Sequence, residues 1–385
     1  MSQQDSTLKQ DSLTLHSEAL KKKVRDRIEQ HGDISFEQFM QMALYQPGLG
    51  YYSSGNHKFG QDGDFITSPE LGDLFAKCMA QQFQQIIKQF SAAVVMELGA
   101  GTGKFCYDCL LELDDLNSLP EKYYILEVSA DLQDRQKQKI AALPDHLQQL
   151  VYWIQQPLSE DFNGIIFANE VVDALAVEVF KVEDRHYKQM RVGWDDGFKQ
   201  KWQHFPHQLN SELLKKNLDL QEGYISEFIP HLANWLDTIS HNLSQGVVLF
   251  IDYGYDTKAY YHPQRNEGTL VCHFQHQANF DYFSHVGVQD ITAFVDFTAL
   301  AQAADDCGLS VDGYTSQAHF LMSLGIQERL GDSESAYKDY YIKTTEMKKL
   351  ALPNEMGEKF KVIAFSRNFD EELQGFSFYN QLHLL

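Results

Sequence analysis

The stretch Glu97-Leu98-Gly99-Ala100-Gly101-Thr102-Gly103 separates two segments of different period, and its reading decides the fold. Residues 92–98 before it form a short apolar run of strand type. Phe105, Cys106, Cys109, Leu110 and Leu113 after it recur at helical spacing. Glycines at such a strand-to-helix turn let a backbone approach a ligand with no Cβ in the way and supply unusual dihedrals at no steric cost. They also close ordinary turns, so the motif alone leaves both readings open. A dinucleotide fingerprint reads G-x-G-x-x-G and points a helix N-terminus at a pyrophosphate. Here an acid opens the turn, and a carboxylate suits a cationic amino acid moiety better than a phosphate.

The strand-turn-helix pattern repeats outward from this turn. Residues 123–128 read as a strand, 132–142 as a helix, 151–154 and 164–168 as further strands. Such alternation implies a parallel sheet covered by helices on both faces. Glu127 closes the second strand, where an acid can accept hydrogen bonds from both hydroxyls of a ribose. That feature is shared with nicotinamide-dinucleotide proteins and points to a nucleoside in general. An acid-opened glycine turn followed by a ribose acid fits S-adenosylmethionine, which carries a sulfonium and an ammonium. Glu97, Gly99, Gly101, Gly103 and Glu127 are the expected cofactor contacts. Asn169, Glu170 and Asp173 follow the fourth strand, on the sheet edge where open α/β sheets bind ligands. Glu170 and Asp173 are candidates to position a nucleophile, with Asp252 after the apolar strand 246–252 in support. Capping of a following helix is the competing role for Asn169 and Asp173.

The remaining chain frames this core. Helical periodicity over 14–45 is broken at His31-Gly32-Asp33, and Ser35 can cap the second helix. Residues 50–70 read as a long loop, and a helix is expected from about Pro69 to Phe90. Alternation over 177–205 with a turn at Asp195-Asp196-Gly197 predicts an antiparallel excursion. A helix around 230–243, an irregular aromatic stretch over 254–290, a helix at 297–304, a strand at 309–320, a helical insertion to about Leu350 and a strand at 360–366 complete the reading. Cys106-x-x-Cys109 belongs to the buried stripe of its helix, and His273 and His276 lack an acidic partner at helical spacing, so no metal is expected.

The chain has 385 residues, 43% of them hydrophobic, and 54 acidic against 32 basic side chains give a net charge of −22. That charge repels polyanions such as DNA or RNA and favours a basic partner. No stretch reaches the length of a membrane span, and the first residues lack the apolar core of a signal peptide. With an odd count of five cysteines, these features predict a soluble protein in a reducing, cytoplasmic setting.

Several motifs taken together resemble the MidA-type methyltransferases, a family that includes a mitochondrial arginine methyltransferase acting on a respiratory complex I subunit. They are Gly50-Tyr-Tyr, Gly63-Asp-Phe-Ile-Thr-Ser-Pro-Glu70, Glu97 to Gly103, Leu126-Glu-Val-Ser129, Ala168-Asn-Glu170 with Asp173, Asp252-Tyr-Gly254, Asp290-Ile-Thr, Val295-Asp-Phe297 and Met356-Gly-Glu-Lys-Phe360. The chain departs from the mitochondrial members in lacking a transit peptide, and in having Ala100, Thr102 and Asn169 where they resemble Pro, Arg and His. The resemblance implies a Rossmann-like, seven-stranded class I methyltransferase sheet of α/β class, with an N-terminal helical and loop extension and substrate-side insertions. In that arrangement residues 1–90 form the extension, 91–320 the core, 321–358 a helical insertion, and 359–385 the last strand and tail. It also implies that Thr67, Ser68 and Glu70, on a loop closing over the cofactor, join Val128 and Asn169 as contacts. The implied acceptor is an arginine of a protein. A small-molecule acceptor, another side chain, or a cofactor-binding assembly role for a respiratory complex are the alternatives; oligomeric state is left open.

Overall fold

A computed structural model describes residues 3–54, 67–275, 277–331 and 337–385. Contacts divide the chain into two compact units. Unit 1 consists of Met1–Phe65, Asp173–His231 and Lys258–Phe294, and unit 2 of Ile66–Val172, Leu232–Thr257 and Val295–Leu385. The four consecutive blocks expected from the sequence do not coincide with these units. Pairing between strands distant along the chain, which no local pattern encodes, decides which segments share a core.

In unit 1, α1 (Gln3–His31) and α2 (Phe36–Tyr45) flank the predicted break. Ser35 caps α2 reciprocally: its hydroxyl accepts the Gln38 N–H at 3.1 Å, and the Gln38 side chain accepts the Ser35 N–H at 3.2 Å. Phe36, Phe39, Met40, Ala43 and Leu44 of α2 share a buried cluster with Val179, Met190 and Val192. These last residues come from the predicted antiparallel excursion, the strands Glu178–Glu183, His186–Trp194 and Phe198–His204. Ile34–Ser35 and Ile225–Phe228 extend that sheet. The stretch 254–290, expected to be irregular, contributes to a second antiparallel sheet of Val271–Phe274, Gln277–Asn279 and Asp290–Thr292. Strands of three or four residues are too short to show alternation in a sequence window.

Unit 2 contains β1 (Val94–Leu98), β2 (Lys122–Leu126), β3 (Val151–Ile154), β4 (Phe162–Asn169), β5 (Leu243–Tyr255), β6 (Ser310–Ser316) and β7 (Phe360–Arg367). They hydrogen-bond in the order β3-β2-β1-β4-β5-β7-β6. β1 to β5 run parallel to one another, and β7 is antiparallel to both β5 and β6. α3 (Leu74–Ile87) and α4 (Lys104–Asp115) cover one face, where Phe83 and Phe105 meet Phe167 with ring centroids 5.5 and 4.5 Å apart. On β5, Phe250 packs against Trp235 of the helix Leu232–Ser240, with centroids 5.8 Å apart. No helix among the described residues is long and apolar enough to cross a membrane.

Two expected boundaries shift for identifiable reasons. The helix predicted from Pro69 begins as a single 3-10 turn, Ser68–Glu70, and α3 starts only at Leu74. Between them the Glu346 carboxylate fills the space where Gly72 would carry a Cβ and accepts the Leu74 N–H at 2.8 Å. The strand predicted over 309–320 ends at Ser316, whose hydroxyl caps a helix Gln317–Ser323.

β4, which carries the candidate residues at its end, starts with a backbone approach that only glycine allows. Gly164 has φ +140°, and a Cβ there would lie 2.0 Å from the Val94 carbonyl oxygen. Gly164→Ala is expected to cost about 3 kcal/mol through strain and forced separation of β1 from β4. A fall in the urea midpoint of the purified variant measures it.

Candidate active site

The strand order reverses between β1 and β4, and ligands of open α/β sheets bind outside the carboxyl ends of strands at such a point. The turn predicted at 99–103 leaves β1 there. Gly99, Gly101 and Gly103 all have positive φ, at +63°, +52° and +81°. The turn is anchored to β2 by the Gly99 N–H donating to the Leu126 carbonyl at 3.2 Å, and it closes on itself through Gly103 N–H to Ala100 at 2.8 Å. Among the described residues, no atom lies within 4 Å of the position a Cβ on Gly101 would take. A Cβ on Gly103 would instead lie 3.1 Å from the Cα of Gln136 in α5 (Ala130–Ile140).

Gln136 joins the turn to the acid of β2. Its amide donates to the Gly101 carbonyl at 3.0 Å and to Glu127 Oε2 at 3.1 Å, while its oxygen accepts the Trp153 indole N–H at 3.0 Å. The other Glu127 oxygen accepts the Ser129 N–H at 2.9 Å. The carboxylate direction is therefore set before any ligand arrives. Beside it, Val128 is 62% exposed, an apolar side chain at the surface. Sequence reasoning missed Gln136: α5 holds Gln133, Gln136 and Gln138, and nothing in their spacing singles out one of them.

Glu70 and Thr67 lie in the described part of the long loop; residues 55–66, which include Gly63 to Ile66 of the loop motif, lie outside it. Glu70 meets the glycine turn, since its Oε1 accepts the Thr102 hydroxyl at 2.5 Å. Thr67 precedes the 3-10 turn and makes no capping bond with its side chain. Ser68, expected to touch the cofactor, is fully buried and its hydroxyl donates to Gln317 Oε1 at 3.1 Å. Lys104, the first residue of α4, donates to the Gly72 carbonyl at 2.6 Å and pairs with Asp108, so its charge is committed within the protein.

At the end of β4, the Asn169 amide donates to Glu170 Oε1 at 3.0 Å. The Asn169 Oδ1 is buried and has no hydrogen-bond partner among the described residues. Glu170 adopts φ +56°, a conformation that costs a non-glycine residue of order 1–3 kcal/mol and clusters at functional sites. Its N–H donates to the Ile251 carbonyl at 2.9 Å. Asp252 is wholly buried: its Oδ2 accepts the Val172 N–H at 3.0 Å and its Oδ1 the Tyr253 N–H at 2.9 Å. Asp173 belongs to unit 1, where its carbonyl accepts the Ala293 N–H at 3.0 Å.

Glu97 faces the interior of unit 2. Only 3% exposed, it lies beneath α4 and accepts the Tyr123 hydroxyl at 2.8 Å. Burial raises its carboxyl to about 8, with the Tyr123 bond opposing and Glu127 adding to the rise. The same apolar setting pushes the thiols of Cys106 and Cys109 up, burial first and the Glu97 charge second. Period-2 alternation explains the placement: Glu97 shares a face of β1 with Val95, a core residue.

A side at Gly101 open among the described residues, a pre-oriented acid just after β2, an exposed apolar side chain beside it and an amide oxygen at β4 with no partner among the described residues fit an adenosine with a cationic tail. The sheet order and this turn define a class I S-adenosylmethionine-dependent methyltransferase. Residues 74–315 match the model of the family described as "Putative S-adenosyl-L-methionine-dependent methyltransferase". The chain belongs to that family. It is similar to a crystal structure from Burkholderia thailandensis with S-adenosyl-homocysteine bound: 37% identical, TM-score 0.92, covering 97% of this chain and 98% of that one. It also resembles the protein arginine methyltransferase NDUFAF7, mitochondrial, of Danio rerio, 26% identical over 90% of this chain and 87% of the relative. The Mus musculus relative of the same name is 27% identical over 88% and 82%. These relatives, mitochondrial by name, overturn the cytoplasmic expectation.

An acid whose pKa is higher folded than unfolded weakens the fold as pH rises between the two values. For Glu97 that window runs from 4.5 to about 8. Glu97→Gln is therefore expected to gain in melting temperature relative to wild type across that range, with no further gain above it. A constant difference at every pH contradicts this.

Proposed function

We propose that the chain is a protein arginine N-methyltransferase in which Glu170 holds the acceptor. The observation that carries this reading is the left-handed Glu170 at the end of β4, beside the crevice where the cofactor is expected. S-Adenosylmethionine, when bound, supplies a methyl group on positively charged sulfur. The backbone of Gly99 to Gly103 cradles it in this reading, with Glu70 and Thr67 beside the turn. Glu127 accepts the ribose hydroxyls, Val128 covers an apolar edge of the adenine, and Asn169 Oδ1 accepts a donor from the ligand. Glu97 acts as a positioning residue, holding β1 to β2 through Tyr123.

Glu170 handles a group that stays protonated, since a guanidinium titrates above about 12. A carboxylate against one edge of that cation localises charge there and leaves the far nitrogen better able to attack. Asp252 positions rather than touches: by accepting the Val172 and Tyr253 N–H groups it holds the turn that follows Glu170. The relatives named as arginine methyltransferases support the acceptor class, as does the net charge of −22, which attracts a basic partner.

Incubation with labelled S-adenosylmethionine and lysate, followed by acid hydrolysis, is expected to place label in methylarginine. Label confined to lipids, small molecules or methyllysine overturns the arginine acceptor. Glu170→Gln is expected to leave cofactor affinity within about twofold of wild type and to slow transfer by about 100-fold; equal rates remove Glu170 from the mechanism. Glu127→Ala is expected to weaken cofactor binding by about tenfold or more in calorimetry, because charge-assisted hydrogen bonds are lost.

A further inference from the structure

A side-chain amide is directional, and in unit 2 the direction of the fully buried Gln136 amide is fixed by one neighbour. Its nitrogen donates twice, to the Gly101 carbonyl and to Glu127 Oε2, and its oxygen accepts once, from the Trp153 indole N–H. An amide carries two N–H donors at one end and an acceptor at the other, whereas an indole N–H only donates. Turned over, the amide would set its oxygen against a carbonyl and a carboxylate, and its N–H groups against the indole N–H. Trp153 thereby selects the one orientation in which Gln136 serves both the glycine turn and the acid.

The sheet places Trp153 for this task. It stands on β3, at the end of the strand order beside β2, with its Cα opposite Ile125, two residues before Glu127. The Glu127 N–H donates to the Ile154 carbonyl at 3.0 Å, so the strand bearing the indole and the strand leading to the acid share one register. The half-buried Trp153 ring packs against the core, and Lys137 Nζ lies 5.7 Å from its centroid, a cation–π contact that steadies the ring. α5 also holds the backbone of the acid, the Gln133 amide donating to the Glu127 carbonyl at 2.7 Å. Hydrogen bonds that end on a charged acceptor are stronger than those between neutral groups, and buried chains of them act as a unit.

We propose that Trp153 is a positioning residue for the cofactor, its indole N–H acting through Gln136 to hold the Glu127 carboxylate and the glycine turn in the geometry that S-adenosylmethionine requires. This rests on the reading of Glu127 as the ribose acceptor and extends it to a residue that reading does not use. Calorimetric titration of S-adenosyl-homocysteine into the full chain and its variants tests it. Trp153→Phe keeps a ring beside Lys137, removes the N–H, and is expected to weaken binding roughly fivefold; Gln136→Met is expected to weaken it roughly tenfold. The double variant is expected to bind within about twofold of Gln136→Met alone, because the indole acts only through that amide. Gln136→Glu, whose ionised carboxyl accepts from the indole but cannot donate to Glu127, replaces Gln136→Met in the cycle if the latter does not fold. In the labelling assay Trp153→Phe is expected to raise the KM for S-adenosylmethionine roughly fivefold and to leave kcat within about twofold of wild type. Single effects that multiply in the double variant, to roughly 50-fold, overturn the proposal. So does a fall in kcat with KM unchanged, or Trp153→Phe binding like wild type while Glu127→Ala binds weakly. Glu127→Ala binding like wild type is the separate failure of the underlying reading.

Discussion

The side chain of Gln136 holds the site in one geometry. One amide binds the Gly101 carbonyl and the Glu127 carboxylate together, and a Cβ on Gly103 would crowd the residue's Cα at 3.1 Å. The turn, the acid and the start of α4 are thus mutually positioned through one residue. Supporting bonds of this kind fix rotamers in advance, so that a ligand does not lose binding energy to ordering them.

Around that bridge, the unit bears unfavourable terms at particular places. Glu170 stands in a left-handed conformation, Asn169 leaves an oxygen without a partner among the described residues, and Glu97 sits in an apolar layer where ionisation is penalised. The surrounding packing tolerates them because the sheet is anchored elsewhere, by Phe83, Phe105 and Phe167 on one face and by Trp235 on Phe250. Asp252 illustrates the division of labour among carboxylates. Fully buried and bonded to two backbone N–H groups, it shapes a turn, whereas Glu170 at the strand end is only partly buried.

Unit 1 follows a different logic. Its core joins α2 to an antiparallel sheet, and a polar cluster, in which Tyr52 donates to Asp290 and Tyr45 to the Ala174 carbonyl, is assembled from a post-helix turn, the residues after β4, and a three-residue strand. None of these pieces is long enough to carry a periodic signal, and the resemblance to a methyltransferase family marked their motifs without indicating that they meet.

The local code was sufficient for much of this protein. An apolar run, an acid-opened glycine turn and a helical stripe specified β1, the turn and α4, because each depends on neighbours within a few residues. The same holds for the Ser35 cap and the antiparallel excursion. Tertiary structure alone decided which glutamine bridges the turn, that Glu97 faces inward, that Ser68 is tied to Gln317, and that Tyr52 reaches Asp290 across 238 residues. The reason is physical. Dihedral preferences and hydrophobic period act along the chain, whereas the direction of a polar side chain is set by whichever buried partner the folded sheet brings within hydrogen-bonding distance.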